Sequence, residues 1–212
     1  MILILASLLT LTLQPGSDAY QLNRQGRLLL NQHRYPAAVR VFRQAVDKAE
    51  ADLGPQDPAT AMILRNLALA HLQTGNAAAA EQSSKLALSI VESRFGQDEP
   101  GLTPILNVLA ECYVSQGRIA DARQTSERAV EIGPMAGAHY GIALHNLAAI
   151  RELSGDLQGA ASAYRHAIAV KIETLGAQHP YVAQSKSALK RVERGESIAS
   201  AIEWEHGVAS EN

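Results

Sequence analysis

Cysteine and aromatic side chains are scarce in this sequence. Cys112 is the single cysteine among 212 residues, so neither an intrachain disulfide nor a cysteine-based zinc site can form. No motif of a reactive thiol surrounds it, and we expect it on a buried helix face. Aromatic residues make up 4% of the chain while Ala and Leu recur throughout, which favours closely packed helices over a β-sandwich. The composition predicts an all-α protein.

An excess of basic charge is also missing. Lys and Arg number 19 against 21 Asp and Glu, whereas a nucleic-acid binder is expected to carry a basic stripe. Signature motifs of catalysis, phosphate binding and calcium binding are not found either. His139 and His145 are six residues apart, which does not place them on one helix face as metal ligands. We therefore expect no nucleic-acid partner, no enzymatic activity, no metal and no cofactor.

The amino terminus carries a nearly unbroken apolar run over residues 2–13, followed by the small-x-small sequence Ser17-Asp18-Ala19. The run is too short to span a bilayer as a helix, which takes about 20 residues. It predicts a signal peptide over residues 1–19, with export to the periplasm or medium and no stable membrane insertion after cleavage. The n-region lacks Lys and Arg, which leaves open a buried first helix and a cytoplasmic protein as the alternative.

Alanine, glycine and leucine recur with a period of 42 residues, and a fixed period of this size is typical of repeat architectures. The recurrences are Ala38–Ala80–Ala122, Ala45–Ala87–Ala129, Gly75–Gly117 and Leu22–Leu64–Leu106. A fourth copy with Leu144, Gly155, Ala160 and Ala167 follows after 38 residues. The missing four residues are about one helical turn, and we expect the second helix of the third copy to end early, at Gly133-Pro134.

Each copy has the pattern of a helical hairpin. Apolar residues recur at helical intervals, as at Leu64 and Leu67, and a glycine such as Gly75 closes the first helix. His33 replaces this glycine in the first copy, and we expect a looser turn there. Small residues such as Ala38 and its equivalents mark the closest approach of the paired helices, where a larger side chain would separate them.

The junctions between copies resemble those of the tetratricopeptide repeat, most closely the 42-residue form found in kinesin light chains. The likeness rests on Leu53-Gly54 through Pro58, on Asn66-Leu67-Ala68, and on Leu175-Gly176 through His179-Pro180. It implies an α-solenoid of about four hairpins over residues 20–194, with a C-terminal capping helix. The implied segments are repeats at about 20–57, 58–99, 100–138 and 139–179, the capping helix at 180–194, and a helix or tail at 195–212.

The capping helix is predicted from a departure in the pattern. Lys186 stands where the four copies carry their marker leucine, so a polar-faced cap is favoured over a fifth full repeat. The last segment contains Ile198, Ile202 and Trp204, spaced for a short helix that either docks on the last hairpin or stays apart from it.

The family geometry implies a concave groove lined by the first helix of every hairpin. The residues that the register places there are Asn23, Arg27, Asn31, Arg65, Leu69, Gln73, Asn107, Glu111, His145 and Glu152. Amides can satisfy the backbone of an extended peptide, and arginine can bind a carboxylate with two donors. Asn66 and Asn146 match the family's asparagine, with a bracing role between helices as an alternative.

These features predict a scaffold that binds an extended segment of a protein or peptide partner in this groove. Two other hypotheses remain open on the sequence. One is a structural protein that self-associates into a homo-oligomer, and the other is an accessory domain that senses a small ligand.

Overall fold

The computed structural model describes residues 17–196 as α-helices joined by short turns. Residues 1–16 and 197–212 are not described, so most of the predicted signal peptide and nearly all of the C-terminal segment lie outside the described residues. The helices are α1 Asp18–Asn31, α2 Tyr35–Leu53, α3 Pro58–Gln73, α4 Ala77–Phe95, α5 Thr103–Ser115, α6 Ile119–Ile132, α7 Ala138–Leu153, α8 Leu157–Leu175 and α9 Pro180–Glu193.

Two compact units divide the chain. Unit 1 extends to Gly101 and contains α1–α4, and unit 2 begins at Leu102 and contains α5–α9. In unit 1, α1 packs on α2 and α3 on α4, and α3 also contacts both helices of the preceding hairpin. In unit 2, α5 packs on α6 and α7 on α8, and α9 packs on α8. Within each unit the predicted all-α architecture of stacked hairpins is confirmed.

Side-chain caps and prolines define the helix starts. The side chains of Asp57, Asn76 and Asp156 accept hydrogen bonds from backbone N–H groups in the first turns of α3, α4 and α8. Pro58 and Pro180 occupy the first positions of α3 and α9, where the missing N–H would have no helical partner.

The turns within the hairpins share one backbone geometry. Gly75, Gly117 and Gly155 have φ of 76°, 73° and 81°, the left-handed region that glycine adopts without steric cost. His33 takes the same place with φ of 58°, and its N–H donates to Leu30 O at 2.9 Å. The His33 ring also lies against Tyr35, with Nδ1 2.6 Å from the tyrosine hydroxyl. This turn is as fully hydrogen-bonded as the others, so the expected loosening is not seen.

Small side chains occupy the contacts between paired helices, as predicted. Ala38, Ala80, Ala122 and Ala160 are fully buried, and so is Ala68 on the opposing helix of its hairpin. A large side chain at such a contact requires a smaller residue on the opposing helix. A Cβ added at Gly26 would lie 2.5 Å from the ring of Phe42, so glycine is required opposite this phenylalanine.

The third hairpin has a shortened second helix. Helix α6 has 14 residues, whereas α2, α4 and α8 have 19 each, and it ends at Ile132 in a 3-10 turn over Gly133–Ala136. The predicted early end at Gly133-Pro134 is confirmed. Cys112 on α5 is fully buried, as expected for a small apolar residue in the core.

Candidate functional site

The first helices of unit 1 carry six of the predicted groove residues. Arg27, Arg65 and Gln73 are half-buried and Asn31 is exposed, so these four side chains reach the surface. Asn23 and Leu69 are buried instead, at 7% and 2% exposure. The surface that unit 1 offers is therefore cationic and amide-bearing.

A short hydrogen-bonded ladder joins α1 to α3. Asn66 Nδ2 donates to Asn23 Oδ1 at 2.9 Å, and Arg65 Nη2 donates to Asn66 Oδ1 at 2.9 Å. Because all three side chains are engaged with one another, the ladder orients the Arg65 guanidinium at the surface. The bracing role predicted as an alternative for Asn66 is confirmed.

Acidic residues are missing from the first helices of unit 1 apart from Asp18. Arg27 on α1 and Arg65 on α3 thus belong to helices whose own sequences contain a single carboxylate, at the first residue of α1. His71 near the end of α3 is buried, and this burial lowers the pKa of its imidazole, with the positive charge of Arg43 adding to the effect. The imidazole of His71 therefore favours its neutral form.

Two asparagines in unit 2 occupy the positions of the unit 1 ladder. Asn107 follows its marker leucine by one residue, as Asn23 does, and Asn146 follows its marker by two, as Asn66 does. Asn107 is 6% exposed, and neither its amide nitrogen nor its amide oxygen has a partner in the described part of the chain. The same holds for Oδ1 of Asn146. Three buried amide atoms of these two asparagines thus have no hydrogen-bond partner within the described residues.

The residue before Asn146 accounts for the unpartnered oxygen of Asn146. The position that Arg65 occupies in unit 1 is held by His145 in unit 2. His145 is buried, and its Nδ1 lies 2.9 Å from the Ser185 hydroxyl on α9, so it does not turn toward Asn146 as Arg65 turns toward Asn66.

Glu152, predicted to face the groove, is fully buried and takes part in a polar contact with α9. Arg191 donates from Nε and Nη2 to the two carboxylate oxygens, at 3.0 and 3.1 Å, and the Tyr164 hydroxyl donates to Oε2 at 3.1 Å. Glu111 is also buried, at 6% exposure. The predicted acidic end of the groove is therefore not exposed on α5 or α7.

A buried lysine, which the sequence pattern did not single out, lies beside this contact. Lys171 on α8 donates to the Ser185 hydroxyl at 2.7 Å, and its Nζ lies 5.9 Å from the centre of the Tyr181 ring. Room for the lysine comes from Gly141 on α7, where an added Cβ would lie 2.7 Å from Lys171 Cγ. The sequence does contain a sign of this buried lysine. Lys171 stands at the position that apolar residues, Ala49 and Val91, occupy in the first two copies.

An open cleft of about 610 Å³ lies between α1 and α2. The lysine that lines it is already paired, because Lys48 Nζ lies 3.2 Å from Asp52 and 3.6 Å from Asp18. The hydrogen bond with Asp52 is the main reason that the pKa of Lys48 is raised. We therefore do not include the cleft in the candidate site. Over residues 17–196, none of the helices combines the length and apolar character that crossing a bilayer requires.

Comparisons with known proteins agree with this geometry. Two tetratricopeptide repeat family models match the chain, one at residues 19–93 and the other at 142–181, together more than half of its length. A search of curated proteins gave no match.

Solved structures with a similar fold were found. One is a kinesin light chain from Podosopora anserina that consists of nearly identical TPR-like repeats. It has 20% identity and a TM-score of 0.66, and the match covers 85% of this chain and 88% of that one. Another is BtubC (BKLC) from P. vanneervenii, with 20% identity and a TM-score of 0.69 over 82% and 71%. A third is a Rap protein complexed with Competence and Sporulation Factor, with 16% identity and a TM-score of 0.70 over 84% of this chain and 49% of that one.

The predicted likeness to kinesin light chain-type repeats is thus confirmed at the level of the fold, which is of the α-solenoid class. The helical hairpins, their glycine turns and the two matches to the family model lead to one conclusion. The chain belongs to the tetratricopeptide repeat proteins.

Proposed function

We propose that this protein is a non-catalytic scaffold that binds an extended segment of a partner protein along its first helices. The observation that carries the proposal is Asn107, a buried amide whose donor and acceptor both lack a partner within the described residues. A carboxamide of this kind matches the N–H and C=O of a peptide group. Leaving such a group unsatisfied costs about 1–3 kcal/mol, which a bound peptide would recover.

Unit 1 would supply the charge recognition. Arg27 and Arg65 reach the surface of α1 and α3, and Asn31 and Gln73 add amide groups. A guanidinium donates two parallel hydrogen bonds to a carboxylate, and the ladder to Asn66 holds that of Arg65 in place. The partner segment is therefore expected to carry acidic residues.

The fold relatives support a binding role. The similar Rap protein was solved in complex with a factor, so a protein of this fold holds a ligand.

We further propose export, with residues 1–19 as a signal peptide. Ser17 caps α1 by accepting a hydrogen bond from Tyr20 N at 3.2 Å, and Ala19 is buried. Cleavage after Ala19 would remove this cap, so the mature chain would begin within the first turn of α1. Amino-terminal sequencing of the protein from its native cell tests the proposal, and an intact Met1 in the cytosol would reject it.

Affinity capture from the native cell tests the scaffold. The Arg27→Glu plus Arg65→Glu variant is expected to lose partners that the unchanged protein retains. The matched control is Arg40→Glu plus Arg94→Glu, which makes the same charge change at exposed positions on second helices of unit 1. Equal capture by all three proteins would contradict the groove assignment.

Asn107 allows a second test that separates binding from stability. Asn107→Ala is expected to weaken the captured complex while leaving the melting temperature unchanged or higher, because a buried unsatisfied amide is removed. The control Asn23→Ala is expected to lower the melting temperature, because Asn66 Nδ2 loses its acceptor. Asn107→Ala with full binding and lower stability would indicate a purely structural amide.

Self-association is the second candidate function. Leu28 on α1 is 57% exposed, and a contact with a second copy of the chain would remove this apolar surface from water. A homo-oligomer in light scattering that Leu28→Lys dissociates, and that the arginine reversals leave intact, would favour this candidate over the scaffold.

A further inference from the structure

The first hairpin, formed by α1 and α2, concentrates its arginines around the turn that joins the two helices. The turn lies between Asn31 and Tyr35, and no Asp or Glu occurs over residues 19–46. Five arginines lie in that stretch and are called the arginine cluster below: Arg24, Arg27, Arg34, Arg40 and Arg43. At 1.5 Å per residue, all of them lie within about 12 Å of the turn, measured along the helices.

The charge of the arginine cluster is not neutralised by ion pairs. Four of its members are exposed and Arg27 is half-buried. Within residues 17–196 none of the five forms an ion pair, and the one side-chain hydrogen bond among them runs from Arg40 Nη1 to Pro36 O at 3.3 Å. Arginines of unit 2 differ, since three of the exposed ones are paired with carboxylates: Arg118 with Asp121, Arg123 with Glu127 and Arg165 with Glu193.

Unit 1 carries its acidic residues mainly at the other end of the helices. Asp18 begins α1, and Asp47, Glu50 and Asp52 lie in the second half of α2, which runs back to the start of α1. Helix α3 runs in the direction of α1 because short turns join the three helices, and residues 58–80 contain no Asp or Glu either. The unit is therefore polarised, with positive charge around the turn of the first hairpin.

The arginine cluster does not line a cleft. The cleft between α1 and α2 is lined by Asp18, Asp47 and their neighbours and by none of the five arginines. Members of the cluster lie on α1, in the turn and on α2, so they surround the end of the hairpin. Such a distribution suits contact with a broad anionic surface better than contact with one extended chain.

Leu28 places an apolar side chain beside the arginine cluster. It follows Arg24 by four residues on α1, so the two side chains are neighbours on the helix surface. Leu28 is 57% exposed, whereas the residues at the same position of α3, α5 and α7 are fully buried: Ala70, Cys112 and Ile150. Exposed leucine among cations is typical of helical surfaces that rest in the headgroup region of a bilayer.

A nucleic acid fits this surface less well than a lipid surface does. Stacking of unpaired bases requires an exposed aromatic ring. The aromatic residue nearest to the turn in the sequence is Tyr35, which is half-buried, packs edge-on against His33 and has its hydroxyl 2.6 Å from His33 Nδ1. The features around the turn thus favour a membrane over a nucleic acid.

We infer that the turn end of the first hairpin binds peripherally to membrane surfaces that contain anionic phospholipids. The guanidinium groups would bind headgroup phosphates, and Leu28 would enter the interfacial region. The acidic end of unit 1 would face away from the lipid, so the polarity of the unit would set its orientation. This activity goes beyond the proposed scaffold role and does not depend on it.

Co-sedimentation of the full chain with lipid vesicles tests the inference. The protein is expected to bind phosphatidylcholine vesicles that contain about 30% phosphatidylglycerol, to bind pure phosphatidylcholine much more weakly, and to dissociate in about 0.5 M salt. The Arg24→Glu, Arg34→Glu and Arg43→Glu triple variant is expected to bind at least about 100-fold more weakly, since each arginine near such a surface contributes about fivefold. The apolar run over residues 2–13 is present in every protein compared, so the differences report on the arginines.

The matched control makes the same change in net charge at exposed cations on α4 and α9: Lys85→Glu, Arg94→Glu and Lys186→Glu. It is expected to retain vesicle binding within a few fold, and both triple variants are expected to melt as the unchanged protein does. Equal losses in the two variants, or equal binding to neutral and anionic vesicles, would overturn the inference. Loss of binding to a single-stranded oligonucleotide by the arginine variant, with vesicle binding retained, would assign the cluster to nucleic acid instead.

An environment-sensitive fluorophore tests the orientation. It is attached to Gln32→Cys in the turn or to Gln56→Cys between α2 and α3, both exposed positions. Cys112 is fully buried and is not expected to react in the folded chain. Anionic vesicles are expected to shift the emission to the blue for the label at position 32 and to leave that at position 56 unchanged. The reverse result would contradict binding through this end of the hairpin.

Discussion

Asn66 and Asn146 occupy the same position in two hairpins, yet their carboxamides have different neighbours. Asn66 is held between Asn23 and Arg65, whereas the oxygen of Asn146 has no partner within residues 17–196. The preceding side chain makes the difference, because Arg65 turns to Asn66 while His145 is bonded to Ser185. The residue that precedes the asparagine thus decides whether the amide oxygen has a hydrogen-bond partner within the described residues.

His33 is the one non-glycine residue with positive φ in the described part of the chain. A left-handed conformation costs an L-residue about 1–2 kcal/mol, partly offset by the higher unfolded-state entropy of glycine. We expect His33→Gly to raise the free energy of unfolding by up to about 1 kcal/mol in chemical denaturation, even though the contact with Tyr35 is lost. Gly75→His, which makes the reverse change in the next hairpin, should lower it by about 1–2 kcal/mol. A loss of stability in both variants would show that the Tyr35 contact dominates at His33.

His71 gives the stability of α3 a dependence on pH. Burial, with a smaller contribution from Arg43, lowers the pKa of His71 in the folded state below its usual 6.5. As the pH falls below about 6.5, the unfolded chain therefore binds a proton more readily than the folded chain, and the free energy of unfolding decreases until the lowered pKa is passed. We expect His71→Gln to reduce the fall in Tm between pH 7.5 and 5.5. An unchanged difference would assign that fall to other groups.

At the level of the helices, α9 is held to its neighbours by polar contacts as well as by the apolar cluster that includes Tyr164, Ala188 and Val192. The bidentate pair between Arg191 and Glu152 differs from a surface ion pair because the carboxylate is fully buried. Removing one partner of such a pair leaves a buried charge without compensation.

Arg191→Ala is therefore expected to lower the free energy of unfolding by about 2–4 kcal/mol, somewhat less than for a fully buried pair because one third of the arginine is exposed. Arg165→Ala is the matched control. It breaks the exposed pair with Glu193, which also joins α8 to α9, and should cost at most about 1 kcal/mol. Equal losses measured by urea denaturation would contradict the special role of Glu152.

The helices and their turns were predictable because their signals are local and repeated. Gly75, Gly117 and Gly155 each mark a left-handed turn, and the loss of four residues before Leu144 predicted the short α6. The polar contacts of α9 were not predictable, because nothing near Glu152 in the sequence indicates a partner 39 residues away. The register placed Glu152 on a first helix but did not show that α9 would cover it.

At the scale of the whole molecule, we expect that a substitution in one of the two units can destabilise that unit more than the other. In repeat proteins each hairpin interacts mainly with its neighbours, so stability is approximately a sum of local terms. Ala68 and Ala122 are both fully buried at hairpin contacts, one in each unit.

Ala68→Arg and Ala122→Arg are both expected to lower the melting temperature sharply, since they overpack a contact and bury a charge. Hydrogen exchange should separate the two variants. Faster exchange is expected mainly among residues 17–101 for Ala68→Arg and among 102–196 for Ala122→Arg. Unchanged melting in both variants would mean that the hairpin contacts are misplaced, and uniform acceleration throughout would mean that the chain unfolds as one cooperative body.

The fourth hairpin combines a glycine at position 141 with a lysine at position 171, whose side chain fills the space that the glycine leaves. We expect this pairing to restrict how the hairpin can be duplicated. An alanine at position 141 would collide with the lysine stem, and the lysine head is bound to Ser185 on the following helix. Repeat arrays commonly grow by duplicating one unit and inserting the copy elsewhere. A duplicated fourth hairpin would carry a buried ammonium group to a site without its serine, so we expect α9 to accompany α7 and α8 in any stable duplication.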